Sequence, residues 1–344
     1  MSGILIIRLK GLGDIVHLIP VLRMLRQQRP DETIGLLCQK PFGQIVPPEL
    51  KIRIFELPNH AGLADTFRLI RDLRRCRFEK LFDLFANPRT AVISLLSGIN
   101  ERYGFDYRIR RHAYTRTFSP ANPNRHLMYL FGEFFAHFGI TGELEFPNLA
   151  WPEKVRANAR NAISNDFNGQ RPLLGINPHT TYMSKAWPEE YWVELIKLWF
   201  EKTGRRALVT WGPGEREVAE RIVKEAGRER AYVHAPVRID EFAALLADLD
   251  LFVTSDTGPM NIAWAVNTPV VALFGPTTRE AVMPRGASHL SLFNEELRCL
   301  QCHLEVCSHK TCMWSMKPQM VLDKILAGYD LSNTRKPDAQ SNIS

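Results

Sequence analysis

The sequence predicts an α/β protein made of two doubly wound parallel sheets, one in each half of the chain. Three observations carry this. Apolar strand-like runs alternate with helical stretches from the first residues on, the alternation breaks near the middle and restarts, and glycine or polar turns mark the points where strands give way to helices. At 344 residues the chain is too long for a single compact core of the usual size, which favours two domains of roughly 150 residues each.

The first half reads in order as a strand Ile4 to Arg8, a helix from Ile15 to about Gln28, a strand Thr33 to Cys38, a helix around Ala64 to Arg75, a strand Lys80 to Phe85 and a helix near Ala91 to Ser97. Alternation of this kind implies parallel βαβ units. From Arg102 to Pro152 the rhythm is expected to break, apart from an aromatic helix beginning at Leu127 and ending at Phe138. A polar stretch from Ala157 to Arg171 approaches the domain boundary. The pattern restarts with Leu173 to Asn177, then a helix from Pro188 to Lys202, with proline at the helix start and Gly204 just past the end. Strands Ala207 to Thr210, Ala231 to His234, Leu251 to Thr254 and Pro269 to Phe274 alternate with helices Glu215 to Ala226, Ile239 to Ala247 and one opening after Asp256. The expected domains are residues 1–160 and 161–330, and the polar, aperiodic stretch 331–344 is expected to be disordered.

Composition is that of a globular protein, 45% hydrophobic and 24% charged. Met1-Ser2-Gly3 leads straight into an apolar strand without a basic leader, and no apolar run approaches a membrane span, so a cytoplasmic location is expected. Net charge is +7, and residues 1–150 carry all of the excess, with 21 Lys and Arg against 14 Asp and Glu. A basic surface suits nucleic acid, anionic lipid or an acidic substrate. Arg68, Arg71, Arg74, Arg75, Arg77 and Lys80, interleaved with Leu69, Ile70 and Leu73, form a basic amphipathic helix that suits a solvated face or a membrane surface. Aromatic residues do not interleave with this run as a base-stacking surface requires, which argues against a nucleic-acid module.

The turn Ser255-Asp256-Thr257-Gly258-Pro259-Met260-Asn261 leaves a buried strand and opens a helix, pointing unclaimed N–H groups and the positive end of a dipole at one spot. Such a terminus suits a phosphate. Lys10-Gly11-Leu12-Gly13-Asp14 follows the first strand and offers a carboxylate near a helix start, either as a cap or as a functional acid. It begins like a dinucleotide fingerprint, but Val16 replaces the third glycine and the second strand ends Cys38-Gln39 with no acidic ribose ligand, which disfavours a nicotinamide enzyme. Asn177-Pro178-His179-Thr180-Thr181, with Lys185-Ala186-Trp187-Pro188, supplies hydroxyls and an ammonium suited to phosphate oxygens. Glu215, in Trp211-Gly212-Pro213-Gly214-Glu215, either accepts from ribose hydroxyls or complements its helix terminus. Gly275-Pro276-Thr277-Thr278 closes the set. Strand-end turns are where open α/β sheets bind ligands, so the active site is expected in a cleft between the halves.

Taken together, Gly13-Asp14 after a first strand, Thr180-Thr181 with Lys185-x-Trp187-Pro188, Asp256-Thr257-Gly258-Pro259-Met260, Phe274-Gly275-Pro276-Thr277 and the central Arg102-Tyr103-Gly104-Phe105 resemble the ADP-heptose:lipopolysaccharide heptosyltransferases, glycosyltransferase family nine. The resemblance spans nearly the whole chain and implies a GT-B fold of two Rossmann-like domains. It also implies an inverting transfer of heptose from ADP-heptose, without a cofactor or required metal, to an acidic inner-core lipopolysaccharide acceptor. Asp14 would be the general base. Lys185, with Thr180 and Thr181, would bind the diphosphate and stabilise the leaving charge. Thr257, Gly258 and Pro259 would form the phosphate turn, Asp256 would hold sugar hydroxyls and Glu215 the ribose. Many relatives carry histidine where this chain has Asn261, which can donate a hydrogen bond but carries no charge. An acidic, membrane-anchored acceptor fits the basic first half, with Lys10, Arg102, Arg108, Arg110 and Arg111 as acceptor contacts and the cytoplasmic face of the inner membrane as a partner surface.

Cys299-x2-Cys302-x4-Cys307-x4-Cys312 has a spacing that can hold a structural zinc, although the resemblance gives it no catalytic metal. Two other functions compete with heptosyl transfer. One is a GT-B enzyme acting on another nucleotide-sugar by transfer or epimerisation, and the other is a non-catalytic basic module binding nucleic acid or membrane.

Overall fold

The computed structural model describes residues 3–163 and 173–330. The chain divides into two compact units, Met1–Leu149 and Ala150–Ser344. The boundary expected at residue 160 thus falls earlier, because helix Glu153–Asn161 packs on helix Ile239–Ala247 and so belongs with the second unit. The expected disordered tail, 331–344, lies outside the described residues.

The first unit holds strands β1 (Gly3–Ile7), β2 (Thr33–Gln39), β3 (Arg53–Leu57), β4 (Lys80–Asp83), β5 (Glu101–Phe105) and β6 (Arg116–Phe118). They form one parallel sheet in the order β3-β2-β1-β4-β5-β6. Its helices are α1 (Leu12–Gln28), α2 (Leu63–Arg75), α3 (Pro88–Leu96) and α4 (Leu127–His137). Central β1 is buried along its whole length, as a strand covered on both faces must be. α1 packs with α4, and α2 packs with α3.

The second unit repeats this order. Strands β7 (Leu174–Asn177), β8 (Ala207–Val209), β9 (Ala231–Val233), β10 (Leu251–Ser255), β11 (Val270–Leu273) and β12 (Leu290–Leu292) form a parallel sheet ordered β12-β11-β10-β7-β8-β9. Counted from β7, this is the same winding as in the first unit, and its strand order reverses between β7 and β10, where ligands collect. Around the sheet lie α5 (Glu153–Asn161), α6 (Glu189–Thr203), α7 (Arg216–Ala226), α8 (Ile239–Ala247), α9 (Gly258–Ala265), α10 (Arg279–Val282), α11 (Thr311–Trp314) and α12 (Pro318–Gly328). Trp192 and Trp199 of α6 are fully buried against the sheet core. Burial of large apolar side chains, at about 1.5–3 kcal/mol each, is what holds such layers together.

The break expected between Arg102 and Pro152 is only partial, since β5 and β6 extend the first sheet there. Of the four strands that the alternation leaves out, β5 lies inside its sheet and β3, β6 and β12 are edge strands. An edge strand is half open to water, so its residues lack the apolar run that marks a buried one.

Candidate active-site residues

In the first unit, β1 ends at Ile7 and the chain turns through Gly11 into α1. Gly11 has φ +89°, and a Cβ there would lie 2.2 Å from Asp14 Oδ2. Glycine is therefore required twice, for the backbone angle and for the carboxylate beside it. The Asp14 side chain is 25% exposed, open enough to meet a ligand. Arg8 Nε donates to Asp14 Oδ2 at 3.1 Å, and Arg8 Nη2 donates to the same oxygen. The guanidinium is itself fixed, donating to the Leu84 carbonyl at 2.6 Å and lying over the rings of Phe85 and Phe131 at 5.1 and 5.5 Å. Asp14 is thus a preoriented carboxylate held by a charge-assisted fork rather than a helix cap.

A second carboxylate supports the first from below. Asp83, the last residue of β4, is wholly buried and accepts from the N–H groups of Phe85 (3.0 Å) and Ala86 (2.8 Å) and from the Tyr114 hydroxyl (2.8 Å). It fixes the turn that presents the Leu84 carbonyl to Arg8. Burial pushes the Asp83 carboxyl up, against the opposing effect of these hydrogen bonds. Gly104 makes the Tyr114 contact possible, since a Cβ there would come within 2.5 Å of the ring.

Of the expected acceptor contacts, Lys10 is exposed on the Asp14 turn. Arg108, Arg110 and Arg111 lie in a short 3-10 helix that follows β5, at the strand-end edge that also carries Asp14. Arg110 lies 5.2 Å from the centre of the Tyr107 ring, and Arg111 pairs with Asp106 at 3.5 Å. The structure does not bring Arg102 to this edge. It sits in the first half of β5, and its guanidinium donates to the carbonyls of Ala113 (2.8 Å) and Ile99 (2.7 Å). Its work is to tie the 3-10 segment to the strand.

In the second unit, Lys185 ends a 3-10 turn after β7, and its Nζ reaches Asp256 Oδ2 at 2.7 Å. Thr277, on the turn after β11, donates to the same oxygen at 2.8 Å. Both charged side chains are largely buried, at 15% and 11% exposure. Three strand ends, those of β7, β10 and β11, thereby place an ammonium, a carboxylate and a hydroxyl together. Trp187 anchors the Lys185 turn by donating from Nε1 to the Met316 carbonyl at 2.8 Å.

Beside this group, α9 begins at Gly258 and Pro259 with Thr257 as its N-cap residue. Thr257 makes no side-chain cap, and its hydroxyl lies 3.1 Å from that of Thr254 instead. No side chain therefore caps the terminus, and uncapped helix N–H donors are of the kind that suits an anion. The Ser255 hydroxyl just before it is buried without a hydrogen-bond partner. Asn261 is buried at 4% exposure, and its Nδ2 donates to the Thr257 carbonyl at 3.2 Å, so it shapes the turn from within.

Thr180 donates to the Tyr182 carbonyl at 2.7 Å, and Thr181 is exposed on the same loop. Glu215 accepts from the Gly212 N–H at 2.8 Å, and its charge acts on the His179 ring, which burial holds below the usual histidine range. The segment with four cysteines lies along these turns: the N–H of His303 donates to the Pro276 carbonyl at 2.7 Å, and that of Ser184 donates to the Glu305 carbonyl at 3.2 Å. The thiols are unpaired, and among the described residues no three or more His, Cys, Asp or Glu side chains form a group able to hold a metal ion. Burial, with a further contribution from the other three thiols nearby, raises Cys312.

Arg8, Asp83 and Thr277 complete the two groups, and the sequence reading assigned none of them to the site. Thr277 stood in a noticed turn. Arg8 directly follows β1 and Asp83 ends β4, beside apolar core residues, and no local spacing separates them from surface or capping residues.

The family model of glycosyltransferase family 9 (heptosyltransferase) matches residues 66–313. The chain is 27% identical over 205 residues to lipooligosaccharide heptosyltransferase 2 of Campylobacter jejuni, a match that covers 58% of this chain and 62% of that relative. It is 25% identical over 325 residues to lipopolysaccharide heptosyltransferase 1 of Pseudomonas aeruginosa, covering 89% of this chain and 88% of the relative. The solved structure of Escherichia coli ADP-heptose lps heptosyltransferase II superposes with TM-score 0.77 at 19% identity, over 95% of this chain and 98% of that one, and shares the fold. The chain belongs to glycosyltransferase family 9, the heptosyltransferase family.

Proposed function

We propose that the protein is an inverting glycosyltransferase that moves heptose from ADP-heptose to an acidic inner-core lipopolysaccharide acceptor at the cytoplasmic face of the inner membrane. The observation that carries the reading is the Lys185, Asp256 and Thr277 group beside an uncapped helix terminus. A buried ammonium next to free N–H donors suits a diphosphate leaving group, and the family membership supports a nucleotide-linked sugar as its source. The relatives are heptosyltransferases named for ADP-heptose, lipopolysaccharide and lipooligosaccharide, which supports the choice of donor and acceptor. No helix among the described residues is long and apolar enough to cross a membrane, which is compatible with peripheral attachment.

In this mechanism Asp14 accepts the proton of the acceptor hydroxyl as its oxygen attacks the anomeric carbon. The new glycosidic bond forms while the bond from that carbon to the phosphate oxygen breaks, and ADP leaves with the bonding pair. Arg8 keeps the Asp14 carboxylate aimed and prevents rotation. Lys185 and the donors of Gly258 and its neighbours stabilise the charge that develops on the diphosphate. Asp256 orients Lys185 and offers its second oxygen to the sugar, while Thr180, Thr181 and Glu215 complete donor binding. Lys10, Arg108, Arg110 and Arg111 meet acidic groups of the acceptor.

The test is transfer to heptose-deficient core oligosaccharide with ADP-heptose or a UDP-sugar as donor, together with competition by ADP and by UDP. Transfer from ADP-heptose, inhibited by ADP in preference to UDP, is expected. Transfer from the UDP-sugar alone, or epimerisation without transfer, would overturn the assignment.

A further inference from the structure

The basic helix noted in the sequence has an apolar companion that the sequence did not reveal. Thr66, Leu69, Ile70 and Leu73 of α2 face the core, while Leu63, Phe67, Arg71 and Arg75 recur every four residues along the outer side. Leu63 is 79% exposed and Phe67 61%. The adjoining α3 adds Val92, Leu95 and Leu96 to the exposed surface. Arg74 joins the two helices by donating to the Leu96 carbonyl at 2.9 Å.

Where the helices end there is an open groove of about 650 Å³, lined by Phe67, Arg71, Arg74, Arg75, Arg77 and Leu96 among others. Five arginines and two aspartates lie between Leu63 and Arg77, a net charge of +3. The aspartates form only exposed pairs, Asp65 with Arg68 at 3.3 Å and Asp72 with Arg71 at 3.6 Å and with Arg75 at 3.7 Å, which water and salt weaken readily. Because α2 and α3 run antiparallel to the strands they connect, this groove opens at the edge where strands begin. Asp14 stands at the opposite edge, where β1 ends, so the groove is separate from the proposed acceptor site.

We infer that the α2–α3 face is the surface by which the protein docks on an anionic lipid bilayer. Lipid phosphates occupy the arginine groove, and Leu63, Phe67, Val92 and Leu95 enter the boundary between headgroups and acyl chains. Charge complementarity selects this occupant: a cationic groove bordered by exposed apolar side chains matches a surface that is anionic outside and apolar beneath. The inference deepens the proposed membrane location and rests on it.

The experiment is cosedimentation of the full chain with phosphatidylcholine vesicles and with vesicles of phosphatidylcholine and phosphatidylglycerol, at low and high salt. Binding is expected only to the anionic vesicles and is expected to weaken with salt. Arg71→Ala with Arg75→Ala should lower it about fivefold for each arginine lost. Phe67→Ser with Leu95→Ser should lower it roughly tenfold. All four positions are exposed, and an unchanged Tm confirms intact folding. Equal binding to neutral vesicles, insensitivity to both double variants, or binding to duplex DNA in place of vesicles would overturn the docking surface. Transfer to a soluble, lipid-free acceptor separates the two readings. Both double variants should retain it at the wild-type rate. If the wild type transfers no heptose yet binds vesicles as described, the enzyme reading falls and the docking surface stands.

Discussion

The two units wind their six strands in the same order and put opposite chemistry at the ends. In the first, the turn after β1 presents a carboxylate locked by an arginine. In the second, the turns after β7, β10 and β11 present an ammonium locked by a carboxylate, next to a helix terminus that no side chain caps. In the proposed reading one scaffold thus supports an acid-base end and an anion-binding end. The difference lies in a few strand-end residues, since the sheets themselves are built alike.

The comparison breaks most sharply at Asp14. Asp14→Asn should lower kcat by about 10² to 10⁴-fold, the usual range for a positioned general base, while ADP affinity measured by calorimetry stays near wild type. A variant that turns over normally would remove Asp14 from the mechanism. Lys185→Ala should lower kcat by about 10² to 10³-fold, as expected for one preorganised charge at the leaving group, and should weaken ADP binding as well. Equal effects of the two substitutions on ADP affinity would erase the contrast between the units. Arg8→Gln should act as a positioning change, lowering kcat with little effect on KM for either substrate. A loss confined to KM would place Arg8 in binding instead.

The smallest effect distinguishes the units by pH. In the second unit burial lowers His179, His234 and His289, the last to about 4. As pH falls below the unfolded value of about 6.5, the unfolded chain takes up protons that the folded chain refuses, and stability falls. In the first unit Asp83 is raised by burial, so the folded state holds its proton longer and stability falls as pH rises above the unfolded value of 3.8. Melting followed by probes in each unit should show opposite slopes on the acid side. Asp83→Asn should flatten the slope of the first unit and leave that of the second unchanged.

Much of this could be read from the chain. The buried strands were legible because a strand covered on both faces must be apolar, and helix α8 matches its expected bounds, Ile239–Ala247. The turns at Asp14, Lys185 and Asp256 were legible because glycine, proline and short polar residues at a strand end have few other uses. Edge strands β3, β6 and β12 were not, since β3, for one, mixes Arg53 and Glu56 with its apolar residues, whereas the more apolar edge strand β9 was. The place of Arg102 was not legible, because an arginine in a basic stretch looks like a ligand contact until the carbonyls of Ile99 and Ala113 are seen around it.

The sequence by itself determined the α/β winding, the repetition of the unit and the residue types offered at each strand end, because periodicity and turn chemistry are local. Only the tertiary structure decided which of those residues meet. Asp256 and Thr277 come from different strands, Lys185 from a third, and Arg8 reaches Asp14 under a carbonyl fixed by Asp83. Such pairings depend on strand order and register, which place residues far apart in the chain within hydrogen-bonding distance, and local sequence patterns do not encode that distance.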